Sequence, residues 1–249
     1  MSNIVLTSKI ENDNFTQYVY DNFDIQNREE TTTVVPLPNR QEIHGLIMDS
    51  TWHIFLICGK SGGGKSTILT QLNNGERVDK PIYDYNKCVI SQFPKLSEES
   101  ACNLLNGVGL SSVPTWLRKP QELSNGERAR LDLCKAIYDA IYERGDGDNS
   151  GIVYIDEFTS VVNRDVAKSM SFALQRLVRT QFTDVKLVIA SCHYDIIDWL
   201  QPDYIFNLNH MNENGDVDIE KLVYNDDTIQ YHSQQTIKDC DALTEKYSI

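Results

Sequence analysis

Nine consecutive residues, Gly59-Lys60-Ser61-Gly62-Gly63-Gly64-Lys65-Ser66-Thr67, constrain this chain more than any other stretch. Residues 52–58 before them (WHIFLIC) are continuously apolar, the pattern of a strand buried on both faces. Residues 66–72 after them begin a helix. Glycines in such a turn let consecutive backbone N–H groups curl inward, and the helix N-terminus adds the positive end of its dipole. The product is a cradle for phosphate. Gly59, Ser61, Gly62, Gly63, Gly64, Lys65, Ser66 and Thr67 are therefore expected to hold a nucleotide. Lys65 would reach the β and γ phosphates, and the Ser66 hydroxyl would ligate Mg²⁺. A glycine-rich turn that only joins strand to helix is the bland alternative, and the strand-before, helix-after context argues against it.

Further apolar runs place the rest of the chain. Residues 152–156, 186–192 and 204–208 read as buried strands. Between them, residues 127–144 put Leu131, Cys134, Ile137, Ala140 and Ile141 on one helical face, and 164–180 do the same with Val166, Met170, Ala173, Leu174 and Leu177. Strands alternating with helices predict an α/β fold with a parallel sheet. Residues 1–45 alternate short apolar stretches, 18–25 and 32–37 among them, with polar turns. The β-branched run 31–35, stopped by Pro36 and Pro38, favours strand, and the region is expected to form an antiparallel β patch. The segment 145–151 (GDGDNSG) reads as a loop, and the polar tail after His210 suggests no element.

Two more motifs carry chemistry. Ile152-Val153-Tyr154-Ile155-Asp156-Glu157 sets two acids at the carboxyl end of a buried strand, where ligands sit in open α/β sheets. Asp156 would hold Mg²⁺ through water, and Glu157 would polarise an attacking water as general base. Leu123-Ser124-Asn125-Gly126-Glu127-Arg128 precedes the first amphipathic helix. Ser124 with Glu127 three residues on is a capping box, and a capped helix N-terminus is also an anion site.

Together these motifs resemble the ABC ATPase family, whose signature LSGGE stands here as LSNGE. The resemblance spans about residues 45–210 and implies a P-loop NTPase core with a parallel sheet flanked by helices, beside the N-terminal antiparallel β patch. It implies that Ser124, Asn125 and Gly126 close over the nucleotide of a second subunit, so that the chain forms a homodimer on binding ATP. It implies further that Gln92, in Val89-Ile90-Ser91-Gln92-Phe93-Pro94, contacts Mg²⁺ and the lytic water, and that His193, ending residues 186–193, contacts the γ-phosphate. Glu157, His193, Lys65 and Gln92 then form the catalytic set, Ser66, Gln92 and Asp156 the metal set, and ATP and Mg²⁺ the ligands. The chain is expected to be one domain over 1–249, with an antiparallel region at 1–45 and a RecA-like core at 46–92 and 145–210. A short helical subdomain at 93–144 bears the signature, and 211–249 form a tail.

Departures from the family pattern carry information. Where the family reads DEPTSALD this chain has Asp156-Glu157-Phe158-Thr159-Ser160-Val161-Val162-Asn163, so Asn163 takes the place of an aspartate, with Asp165 nearby as a substitute. The stretch between Gln92 and Leu123 is short, which trims the subdomain that grips a membrane partner in transporters. Tyr20 and Phe23 are the candidate aromatics for stacking on adenine. DEFTSVV and SCHYDIIDWLQPD look like a soluble, non-transporter branch associated with acetyltransferase-like partners.

Composition narrows the partners. No run of eighteen apolar residues and no basic-then-apolar leader is present, so the expectation is a cytoplasmic protein with no membrane span of its own. Six cysteines (Cys58, Cys88, Cys102, Cys134, Cys192, Cys240) show no metal spacing, and Cys58 and Cys192 read as core residues inside strands. A net charge of −13 without a Lys/Arg cluster disfavours nucleic acid. The leading expectation is an ATPase that drives conformational change in a soluble protein partner. Its alternatives are a transporter's ATPase subunit, a DNA-repair or chromosome-structure ATPase, which usually carries a coiled-coil insertion, and an ATP-binding switch with negligible turnover.

Overall fold

The β-branched run near the N-terminus does pair. In the computed structural model, which describes residues 2–37, 51–78, 80–143, 151–210, 217, 219–225 and 228–230, β1 (Ser2–Lys9) and β2 (Glu30–Leu37) are antiparallel, with Ser2 opposite Leu37 and Lys9 opposite Glu30. Pro36 does not stop β2, because this two-stranded ribbon leaves an edge on which a missing N–H is tolerated. The expected antiparallel β patch is thus present, and between its two strands the chain adds a helix. Residues 14–22 form helix α1 (Asn14–Asn22), started by a capping box in which Asp13 accepts from the Phe15 and Thr16 amides and Thr16 answers to the Asp13 amide. No residue of α1 is buried.

The central sheet follows the apolar runs. β3 (Ile54–Cys58) leads through the glycine loop to α2 (Lys65–Leu72). A helical layer comes next: a 3₁₀ turn at Val89–Gln92, then α3 (Glu98–Gly107), the short α4 (Val113–Trp116) and α5 (Asn125–Tyr142). The chain then alternates as β4 (Ile152–Ile155), α6 (Arg164–Thr180), β5 (Lys186–Ser191), α7 (Ile196–Leu200) and β6 (Tyr204–Asn207). The strand order is β4-β5-β3-β6, all parallel, with β7 (Ile219–Lys221) added antiparallel to β6. β7 and the small pair β8 (Val223–Asn225) and β9 (Thr228–Gln230) give part of the predicted tail strand structure. The loop read at 145–151 lies, but for Gly151, outside the described residues.

Alternation along the strands divides two apolar layers. Ile54, Leu56 and Cys58 of β3 face Leu104, Leu105, Leu131, Ile137, Leu174 and Leu177 of the helical layer and α6. Phe55 and Ile57 face the other side, with Ile68 and Leu69 of α2 and Val35 and Leu37 of β2. The β ribbon thus docks by the carboxyl end of β2 against the helix that follows the loop. Gly64, at φ +93°, sits at that junction, where an added Cβ would lie 2.5 Å from Val35 Cγ1. Only glycine satisfies both the backbone angle and the contact.

Candidate functional site

The order β4-β5-β3 brings three carboxyl ends side by side at a point where the chain skips across the sheet, the place where open α/β sheets make a crevice. β3 delivers the glycine loop, β4 delivers Asp156 and Glu157, and β5 delivers Cys192 and His193. A cavity of about 520 Å³ opens there, lined by Ser61, Gly62, Gly64, Lys65, Ser66, Thr67, Asp156, Glu157, Ser160, Cys192 and His193. Its volume is that of a small-molecule site, and its walls are mostly polar.

Within the loop, Lys65 folds back so that Nζ donates to the carbonyl oxygens of Gly59 (2.9 Å) and Lys60 (2.8 Å). The ammonium is thereby held over the loop from its own helix. Gly59 leaves room for Leu208, whose Cβ would stand 2.8 Å from an added Cβ, and the Lys60 amide reaches Asn209 Oδ1 at 3.5 Å. The end of β6 therefore braces the start of the loop.

The acids occupy a tight turn. Asp156 Oδ1 accepts the Glu157 amide at 2.9 Å, and Glu157 and Thr159 have φ of +51° and +69°. Between them Phe158 is buried in the core, its N–H donating to the Ala190 carbonyl and its carbonyl accepting from Ser191 Oγ. The turn is pinned to β5, and Glu157 is presented into the cavity from a left-handed backbone. Across the cavity, His193 Nδ1 lies 3.0 Å from Thr159 Oγ1. Burial holds the His193 pKa below its ordinary value, the nearby Arg164 guanidinium pushes the same way, and Asp195 opposes them. The balance favours the uncharged ring.

The oxygen donors Ser66 and Asp156 border the same cavity, and a Mg²⁺ ion needs only one or two such protein ligands beside phosphate and water. The residues present fit that ion.

Other predicted site residues lie elsewhere. Gln92 is 5 % exposed and lines no part of the cavity. Its Oε1 accepts the Asp84 amide (3.0 Å), and Nε2 donates to the Asp84, Lys87 and Cys88 carbonyls (2.8, 3.2 and 3.3 Å). Its amide is consumed in bracing residues 84–88. Gln92→Ala is expected to lower stability by roughly 1–3 kcal/mol, the cost of stranding buried backbone groups, without changing nucleotide affinity. Thermal denaturation and nucleotide titration of that variant check both halves.

Ser124 caps α5 reciprocally with Glu127, whose carboxylate also takes the Thr115 hydroxyl and pairs with Arg118. The Ser124 amide and hydroxyl hold the Glu127 pKa below the usual carboxylate range. Ser124, Asn125 and Gly126 do not border the cavity at the strand ends of their own chain. Asn125 lines a second hollow of about 480 Å³ between α5 and residues 155–162, and Gly126 faces Val161 and Val162. Asn163 caps α6 by accepting the Val166 amide, with Asp165 in the first turn.

Neither Tyr20 nor Phe23 lines the cavity. α1 joins the Lys9 and Glu30 ends of the ribbon, five residues of strand, about 17 Å, from Val35 at the glycine junction. Tyr20 donates its hydroxyl to the Arg28 carbonyl, and Phe23 is exposed. Cys192 is not a core residue: β5 ends at Ser191, and the half-buried thiol borders the cavity. Ser160, Thr159 and the Arg164–Asp195 pair beside the cavity were not predicted. The first is readable as a polar residue following the acids, but a hydroxyl turned by a left-handed backbone leaves no sequence signal.

No family model matches this sequence, and no curated protein matches it. Among solved structures, the fold is similar to ATP-binding cassettes. One is a dimeric cassette in a post-hydrolysis state bound to ADP and Pi, 15 % identical over 70 % of this chain and 86 % of that one, with a TM-score of 0.47. Another is cbiO1 from Clostridium perfringens, part of the ABC transporter complex cbiONQ, 13 % identical over 79 % of this chain and 84 % of that one, with a TM-score of 0.48. Among the described residues no helix is long and apolar enough to cross a membrane.

Proposed function

We propose that the chain is an ABC-type ATPase that binds Mg-ATP in the cavity at the carboxyl ends of β3, β4 and β5 and hydrolyses it to ADP and phosphate. The observation that carries this reading is the convergence of Lys65, Ser66, Asp156, Glu157 and His193, drawn from three separate strand ends, on one cavity. The loop amides and Lys65 bind the phosphates and stabilise the charge that develops on them. Glu157 accepts a hydrogen bond from the attacking water, polarises it and orients it toward the γ-phosphorus. His193, neutral, donates to a γ-phosphate oxygen. Ser66 and Asp156 would hold a Mg²⁺ ion, which would supply neutralisation of the phosphate charge.

The segment 123–127 has a part in a second subunit's site. It does not border the cavity of its own chain, yet it offers the capped N-terminus of an 18-residue helix, an anion-binding end. Two copies facing each other would bring it over the partner's nucleotide. The short stretch between Gln92 and Leu123 favours a soluble protein partner for the dimer over a membrane one. Phosphate release from Mg-ATP by the purified chain tests the reading. Steady turnover is expected, and ATP binding without turnover would leave a nucleotide switch in its place.

A further inference from the structure

Thr159 is a β-branched residue at φ +69°, a strained conformation that persists only where its surroundings impose it. Its neighbours do so. Phe158 is anchored to β5 from both its N–H and its carbonyl, and the Ser160 amide donates to the Glu157 carbonyl at 3.0 Å. The strain directs one hydroxyl. Thr159 is 4 % exposed, and its Oγ1 stands 3.0 Å from His193 Nδ1 and 3.4 Å from Arg164 Nη1.

These contacts have a direction. Arg164 is always a donor, so the Thr159 oxygen accepts from it. Asp195 holds that guanidinium in place, accepting Arg164 Nε at 2.8 Å and also Nη2, and Trp199 lies against the guanidinium face. The Thr159 oxygen spends a lone pair on that fixed cation and keeps its own hydrogen, for which His193 Nδ1 is an acceptor within reach. The Phe158 carbonyl, which accepts from Ser191 Oγ at 2.9 Å, has a second lone pair facing the imidazole and is the rival partner that a protonated ring nitrogen on this side would use. Lys65 stands on the cavity side and adds a further positive charge that disfavours a second proton on the ring.

We infer that Thr159 is a positioning residue that fixes the tautomer of His193. Its hydroxyl donates to Nδ1, the ring proton sits on Nε2, and the Nε2–H is presented to the anion in the cavity. A neutral ring with the other tautomer would offer that anion a lone pair and repel it. The relay Asp195–Arg164–Thr159–His193 thus makes a phosphate-facing donor out of an uncharged histidine. The functional half of this inference rests on the ATPase reading above, while the tautomer itself does not.

The test is a long-range ¹H–¹⁵N spectrum of the nucleotide-free protein, with the His193 signals assigned among the five histidines by their loss in His193→Gln. The expected pattern is a pyridine-like Nδ1 and a protonated Nε2. Thr159→Val, which keeps shape and branching, should shift the ring to the other tautomer or a mixture, and Thr159→Ser should restore it. Phosphate release should follow, with kcat falling about tenfold or more in Thr159→Val, KM nearly unchanged, and Thr159→Ser recovering most of the rate. A protonated Nδ1 in the wild type, or a Thr159→Val spectrum identical to wild type, overturns the inference. Absent turnover in a wild type that shows the expected tautomer would instead count against the ATPase reading and leave the positioning role standing.

Discussion

Glu157→Gln is expected to lower phosphate release by about 10²- to 10⁴-fold while leaving ATP bound, the range spanned by losing a positioned general base. The substitution preserves size and can still hydrogen-bond a water. What it removes is the negative charge that polarises that water. Glu157 borders the cavity together with Lys65 and Ser66, and its left-handed backbone is set by the buried Phe158 between it and Thr159. Glutamine inherits that geometry, so the loss falls on turnover and not on the phosphate cradle. Single-turnover hydrolysis alongside nucleotide titration separates the two.

Lys65→Ala should act on the other quantity. The Lys65 ammonium donates to the Gly59 and Lys60 carbonyls, which keeps it at the mouth of the loop in the absence of anion. Bound phosphate would replace the neutral carbonyl acceptors with anionic oxygens, so that both partners of each hydrogen bond carry charge. Losing them costs on the order of 3 kcal/mol, or about a hundredfold in ATP affinity. The fold should survive, because α2 is anchored by Ile68 and Leu69, buried one turn further along the helix, and those contacts are untouched. Calorimetric titration with Mg-ATP checks the affinity, and an unchanged melting transition checks the fold. A Lys65→Ala protein that binds as tightly as wild type would mean that the nucleotide lies elsewhere.

Legibility in the sequence followed burial. β3, β4, β5 and β6 were readable because both faces of each are covered, which leaves unbroken apolar runs such as Ile54–Cys58. The helices at Asn125–Tyr142 and Arg164–Thr180 were readable because each buries one stripe. α1 buries nothing, so no stripe marked it, and only the Asp13–Thr16 capping pair signalled its start. β7 is three residues long and owes its place to pairing with β6.

In the candidate site, the loop and the acids were legible because their chemistry is local in sequence. Gln92 was not, since a glutamine in a suitable motif gives no sign that its amide will be spent on residues 84–88. Thr159 was hidden for a different reason. Its contact with His193 spans thirty-four positions and depends on a backbone angle that β-branched residues rarely adopt.

Whether two copies complete each other's sites is measured most directly by light scattering during gel filtration of Glu157→Gln with Mg-ATP. Trapped before hydrolysis, the protein should elute at twice the monomer mass, with one nucleotide per chain, and return to monomer mass in Mg-ADP. A Glu157→Gln protein that binds ATP and keeps the monomer mass would contradict the claim, because the segment 123–127 would then close over no partner's phosphate.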